Sequence, residues 1–189
     1  MSADAPPSPL LTTRAAPLAE LRELATAGRL YAVLDACDAP AVPEKVHELG
    51  DERAVSLYRD SVNEMYWAIA PYLFVVDEAL LEWIVETLWD EPFGIFTVAD
   101  AGLDAVRQHI LRLLVVQAPN DEQWYFRYYD PRVLPTFLRN SIVEELRKLY
   151  GPLEAYAIPS GGDGSIELYS FATTARPPVR IRLHLNDRT

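Results

Sequence analysis

Charge and aromatic residues crowd into one short stretch, FRYYDPRVLPTFL, residues 126–138. Arg127, Asp130 and Arg132 supply the charge. A guanidinium is a planar fork of donors that grips a carboxylate at two points. The cluster is therefore suited either to an internal ion-pair network that locks the chain or to a surface that binds a peptide. Asp130-Pro131 also reads as a helix entry. Aspartate is a favoured N-cap, and proline at the first helical position has its φ already set. That reading accounts for Asp130 and Pro131 as architecture. Arg132 is then expected to help present a partner-binding face, with Arg127 and Tyr129 beside it. If a strand runs through 124–129, period-two alternation places Trp124, Phe126 and Tyr128 on one side. Tyr125, Arg127 and Tyr129 fall on the other.

Other reactive residue types are sparse. The lone cysteine, Cys37, lies in LDACDAP between Asp35 and Asp38. A nucleophilic cysteine needs an electropositive setting and a nearby base, whereas two carboxylates oppose thiolate formation. The two aspartates are a weak magnesium signal on their own. His109 sits at helical spacing from Val106 and Leu113, as expected for a core histidine bonded to backbone. His47 and His184 have no companion at metal-ligand spacing, so no metal site is expected. GGDGS (161–165) lacks the lysine and the helix start of a phosphate loop. No cofactor motif is read.

The net charge is −11 and is unevenly placed. Residues 51–104 carry twelve acids against Arg53 and Arg59, for −10, while residues 106–152 come to +2. An acidic chain is a poor ligand for nucleic acid, which requires a basic footprint. Glu78, Glu82 and Glu86 fall at i, i+4 and i+8 and form one acidic stripe on a helix. The stripe is suited to solvation or to a basic partner. No apolar run approaches membrane-spanning length. The opening MSADAPPSPLLTTRAAP has neither a basic start nor an apolar core and is not read as a secretory signal. A single cysteine fits a reducing compartment, the cytoplasm.

Elements follow from punctuation and period. Helices are expected over 17–27, 42–50, 77–90 (capped by Asp77) and 102–114, and two more follow the Asp-Pro joint. The second of these is opened by a Ser141/Glu144 capping box and closed at Gly151-Pro152. Strands are expected at 30–36, 55–60, 71–77, 93–99, 114–119 and 123–130, with SIELYSFA and VRIRLHL in the tail. The pattern implies an α/β fold, a mixed sheet flanked by helices with a C-terminal β-hairpin. The expected organisation is a flexible arm over 1–16, a main domain over 17–160 and a β extension over 161–189.

The succession LYAVLDA (30–36), APYLFVVD (70–77), FGIFTVADAGLDAVRQHILRLLVV (93–116), FRYYDPRVL (126–134) and YGPL (150–153) resembles the Tap/TEC family of type VI secretion effector chaperones, also called adaptors. The resemblance spans roughly 30–155. It departs from the family pattern where Phe93-Gly94 stands for Trp-Gly, and in the helix after it, where Ile110 and Leu111 separate His109 from Arg112. The resemblance implies a non-enzymatic protein. Such a protein binds a secreted toxin effector, often by its N-terminal part, and helps load it onto the VgrG spike.

On this reading a groove holds an effector segment and charged rims choose the partner. Arg127, Tyr129 and Arg132 lie near it, and Glu78, Glu82 and Glu86 form a second face. Asp130, Pro131 and His109 are structural. An acidic immunity protein that neutralises a toxin is the alternative. An enzyme would need a convergent catalytic set, and no such set stands out.

Overall fold

The computed structural model describes residues 11–58, 68–117, 121–159 and 165–171. Seven strands form one sheet in the order β1-β9-β8-β5-β2-β4-β3. They are β1 (Leu11–Ala16), β2 (Leu30–Asp35), β3 (Ala54–Ser56), β4 (Pro71–Val75), β5 (Gly94–Ala99), β8 (Leu153–Pro159) and β9 (Ile166–Phe171). Every pairing is antiparallel. A separate two-stranded ribbon joins β6 (Val115–Gln117) to β7 (Gln123–Tyr125). The helices are α1 (Leu18–Thr26), α2 (Val42–Leu49), α3 (Glu78–Thr87), α4 (Leu103–Leu113), α5 (Leu134–Asn140) and α6 (Val143–Tyr150).

The α/β architecture with helices on both faces and a terminal hairpin, β8–β9, is present. Alternation along the central strands shows why two helical layers are needed. Leu30, Ala32 and Leu34 of β2 enter one apolar cluster with Leu21 of α1, Val42 of α2 and Leu80 and Ile84 of α3. Tyr31 and Val33 enter the other, with Val106 and Ile110 of α4, Leu134 of α5 and Leu146 of α6. An antiparallel sheet usually wets one face. Here β2 and β5 are buried at every position, so both faces must be covered.

Local signals set most boundaries. Asp77 caps α3, its carboxylate accepting the Leu80 N–H at 2.9 Å. Gly50 closes α2 and Gly151 closes α6. Several expectations change. Residues 11–16 are not a loose arm. They form an edge strand in register with β9, Leu11 opposite Phe171 and Ala16 opposite Ile166. This pairing joins segments far apart in sequence, so composition near residue 11 does not reveal it. Ile166–Phe171, the first strand of the expected β extension, lies inside the sheet between β8 and β1. VRIRLHL and most of GGDGS lie outside the described residues.

The remaining three changes concern the Asp-Pro joint and the two helices that follow it. The strand ends at Tyr125 rather than Asp130, because the chain turns: Tyr128 N–H donates to Phe126 O at 2.9 Å and Asp130 N–H to Arg127 O at 3.2 Å. The alternation expected over 124–129 is lost with it, and Tyr128 and Tyr129 are both buried. Asp130 caps a turn and not α5 itself: its carboxylate accepts the Arg132 N–H at 2.8 Å and its carbonyl the Leu134 N–H at 3.0 Å. Residues 131–133 form that turn, α5 starts at Leu134, and Pro135 occupies its first turn. The Arg132 side chain engages the same carboxylate. The Ser141/Glu144 capping box does not form; one residue on, Glu145 accepts from Ile142 N–H at 3.0 Å, and isoleucine has no side-chain acceptor to complete the pair. The Ser141 hydroxyl instead donates to Phe137 O at 2.8 Å and closes α5.

One glycine in the sheet has no substitute. Gly94 stands at φ +139°, where an added Cβ would come within 1.9 Å of Val33 O on the neighbouring strand. Backbone cannot move aside at the centre of a sheet. Gly94→Ala is expected to cost about 3 kcal/mol or more through combined strain and overlap. Urea denaturation should show the loss, and a wild-type midpoint would refute this placement of β5 against β2.

Candidate functional site

At the C-terminal end of β2 the apolar run meets a carboxylate. Asp35 is 4% exposed. Its Oδ1 accepts the Cys37 N–H at 3.0 Å, and its Oδ2 pairs closely with Arg127 Nη2. The same Nη2 lies 3.0 Å from Asp38 Oδ2. Arg132 Nη2 in turn lies 3.0 Å from Asp38 Oδ2 and 2.6 Å from Asp130 Oδ2. Arg132 Nε and backbone N–H both donate to Asp130 Oδ1 at 2.8 Å. The result is a chain of alternating charges, Asp35–Arg127–Asp38–Arg132–Asp130. It clasps the loop after β2 to the segment that leads into α5.

Burial grades along the clasp. Arg127 is 40% exposed and Arg132 59%, so the network is dry at Asp35 and wet at Arg132. Burial pushes the Asp35 carboxyl above its ordinary value, outweighing the pull of the Cys37 N–H and of Arg127. Burial also acts to raise Asp130, but the donors of Arg132 outweigh it and the carboxyl is held below its ordinary value. Arg127 stays charged, as an arginine does in proteins. Burial works against its cation, and the charge of Asp35 leads the forces that favour it.

The structure thus brings Arg127, Asp130 and Arg132 together, and adds Asp35 and Asp38, which spacing alone did not connect to them. These two aspartates share a guanidinium. Among the described residues no group of three or more His, Cys, Asp or Glu side chains is placed to hold a metal ion. Tyr129 is placed differently from its expected role at a binding face. It is 1% exposed, and the Arg127 guanidinium carbon sits 6.0 Å from its ring centroid. It backs the arginine from inside, and its ring is not available to a partner. Pro131 and Arg132 line a cleft of about 530 Å³ with Trp89, Pro92, Arg139 and Glu167. The exposed side of the clasp therefore faces an open hollow.

Glu78, Glu82 and Glu86 are exposed on α3. Among the described residues none of them is in an ion pair. Glu82 and Glu86 edge a shallow hollow of about 200 Å³ beside Arg22 of α1. Among the described residues no ion pair joins the stripe to the clasp.

Residues 30–148, well over half of the chain, match the model of a family described as Domain of unknown function (DUF4123). The chain belongs to the DUF4123 family. This family is known as the Tap/TEC type VI secretion effector chaperone domain, a chaperone-type domain rather than a known enzyme. No curated protein and no solved structure matches the chain. The DUF4123 match contains both ends of the clasp and ends two residues short of the α6 terminus. Among the described residues no helix is long and apolar enough to cross a membrane.

His109 lies inside the DUF4123 segment, on the buried face of α4. Its Nε2–H donates to Leu149 O at 2.8 Å, and the Tyr156 hydroxyl donates to the same oxygen at 2.7 Å. The last carbonyls of a helix lack intrahelical donors, so the imidazole and the phenol satisfy one of them at the end of α6. The ring lies over Gly151, where a Cβ would approach His109 Cε1 to 2.3 Å. His109 thereby pins α4 to the turn between α6 and β8. Burial lowers its pKa, chiefly, against the opposing effect of the Leu149 bond.

Two tests follow from this geometry. Arg127→Ala leaves Asp35 buried without its cation and should destabilise the fold by roughly 2–3 kcal/mol, below the range for a fully buried pair because Arg127 is partly wet. Arg132→Ala should cost about 1 kcal/mol or less, as at exposed pairs. Equal costs in urea melts would refute the graded clasp. The second test is pH. A lowered histidine pKa means stability is complete above the ordinary 6.5 and is lost as pH falls through the folded value. Asp35, with its raised value, acts oppositely, its contribution fading as pH rises through the carboxylate range. His109→Gln isolates the first effect. Between about pH 7.5 and pH 5.5 the wild type should lose more thermal stability than the variant, and parallel profiles would refute the neutral, buried imidazole.

Proposed function

We propose that this chain is a non-enzymatic adaptor that binds a type VI secretion effector and helps load it onto the VgrG spike, acting in the cytoplasm. The DUF4123 match over residues 30–148 carries the reading. The clasp is consistent with it on physical grounds. Acid–base catalysis calls for a group poised to exchange a proton with substrate. Here each carboxylate of the cluster is held by a guanidinium of the same chain. Such an arrangement fixes a surface and leaves its outer arginine, Arg132, at the rim of an open cleft.

The work of such a protein is selection, which rests on complementary charge at the rim and apolar contact at the centre. Arg127 and Arg132 are the rim residues offered on one side, with Arg127 partly engaged inside. Glu78, Glu82 and Glu86 are offered on the other helical layer as a face for a basic surface.

The decisive experiment is affinity capture of the tagged protein from its native cells, with partners identified by mass spectrometry. A large toxin recovered together with a spike protein is the expected result. A toxin held by its catalytic domain, without a spike protein, would replace the adaptor reading with that of an immunity protein. For the stripe, Glu78→Lys, Glu82→Lys and Glu86→Lys combined should weaken partner binding about tenfold at low salt and flatten its salt dependence. Affinity and slope both unchanged would remove the stripe from the interface.

A further inference from the structure

A second cleft, of about 620 Å³, opens where α4, the β6–β7 ribbon, α5 and α6 meet. Its wall is apolar. Leu113, Val116, Phe126, Phe137 and Leu149 line it, and the rings of Phe126 and Phe137 stand 5.1 Å apart between centroids. Val116 and Trp124 are direct partners across the ribbon. Directly opposed residues project from the same face of a strand pair, so Trp124 continues this wall outward. It is 56% exposed. Aromatic side chains held open at the edge of an apolar hollow are the residues that most often anchor a partner.

The charges at the rim point to that partner's chemistry. Arg112 and Lys148 line the cleft, with Glu145 as the single carboxylate among its lining residues. Both cations are exposed. Arg14, Arg29, Arg53, Arg127, Arg132 and Arg139 each hold a carboxylate of this chain. Arg112 and Lys148 are in no ion pair among the described residues. In a chain of net charge −11, two cations without an internal carboxylate among the described residues flank a hollow with an apolar wall.

We propose that this cleft docks a partner segment whose apolar side chains are flanked by aspartate or glutamate. The identity of its natural occupant, a stretch of the effector, rests on the adaptor reading. The chemistry of the cleft does not. Apolar side chains enter between Phe126, Phe137 and Val116, with Trp124 closing over them. The carboxylates meet Arg112 and Lys148. Because the chain as a whole repels an acidic segment, this local pair of cations beside the apolar wall favours one here, and that fixes position and orientation. A lipid surface suits the site less well. The hollow is concave, and an anionic bilayer would be repelled by the overall charge.

The test uses the full chain and a labelled peptide of about 16 residues that places Leu and Phe on one helical face and Glu on the other. One control peptide exchanges Glu for Lys, and a second exchanges Leu and Phe for Ser. Fluorescence anisotropy should show binding of the acidic apolar peptide and at least about tenfold weaker binding of the serine control. Arg112→Glu with Lys148→Glu should weaken the acidic peptide about tenfold while strengthening the lysine control. Trp124→Ser, at an exposed position, is a second variant and should also weaken it. An acidic peptide that fails to bind would overturn the proposal. So would affinity indifferent to all three substitutions, or charge-dependent binding of phosphatidylserine vesicles without peptide binding. The titration requires no effector, so the two readings fail separately. Peptide binding in a protein that captures no toxin would sink the adaptor reading alone. Toxin capture unaffected by Arg112→Glu and Lys148→Glu would sink the cleft alone.

Discussion

Because helices cover both faces of the sheet, β2 has no solvent side on which to place a polar group, and it nevertheless ends on Asp35. An isolated carboxylate in such a place would be costly or would take up a proton. The cation that meets it lies 92 residues downstream. Arg127 can reach it only if the chain leaves β7 and turns back toward the end of the sheet, which the bonds at 126–130 accomplish. Asp38 then shares Arg127 with Asp35, Arg132 balances Asp38, and Asp130 holds Arg132 from both its side chain and its backbone N–H. One buried charge thus organises an entire corner.

That corner sets the positions of the surfaces proposed above to meet a partner. Fixing 126–133 places Tyr128 and Tyr129 in the core of one helical layer. It also sets the start of α5, and through α5 the position of Phe137 opposite Phe126. The cleft wall is therefore a by-product of the same geometry that pairs Asp35. His109 performs a related task at the opposite wall, tying α4 to the end of α6 through Leu149 O. Rigid walls suit a recognition surface, because less side-chain and loop ordering remains to be done at the moment of binding.

Much of the fold was legible in the sequence, and the exceptions share a cause. Asp77, Gly50 and Gly151 act through near neighbours, so local pattern located the ends of α2, α3 and α6. Leu11–Ala16 is a strand only because β9 offers it a hydrogen-bonding edge, and no local feature of LTTRAA shows that. The aromatics of 123–130 suggested one long strand because aromatic residues favour pleated, half-buried positions. Here they are aromatic because the turn that carries Arg127 inward must itself be packed. Asp130 reads in sequence as the cap of α5, but the turn at 131–133 that it closes and the Arg132 fork that shares its carboxylate show only in three dimensions. The clasp is half visible in the sequence: Arg127, Asp130 and Arg132 stand out, while Asp35 and Asp38 draw attention for their effect on Cys37 and as a weak magnesium signal, not as partners of the arginines. The cation-rimmed cleft was not visible, since Arg112 and Lys148 are drawn together by two helices that meet only in the fold.

An adaptor has to hold one component without obstructing another, and the layered arrangement bears on how that is possible. The acidic stripe belongs to α3, which packs with α1 on one face of the sheet. The cleft with Arg112 and Lys148 belongs to α4, α5 and α6 on the other. A seven-stranded sheet separates the two, so their opposite charges neither neutralise each other nor compete for one ligand. Segregation of charge follows from the chain itself, acidic across 51–104 and mildly basic across 106–152, because each third contributes its helices mainly to one layer. On the adaptor reading, this division gives an effector and a spike component chemically distinct faces. Each face disfavours the wrong occupant by like-charge repulsion as well as favouring the right one.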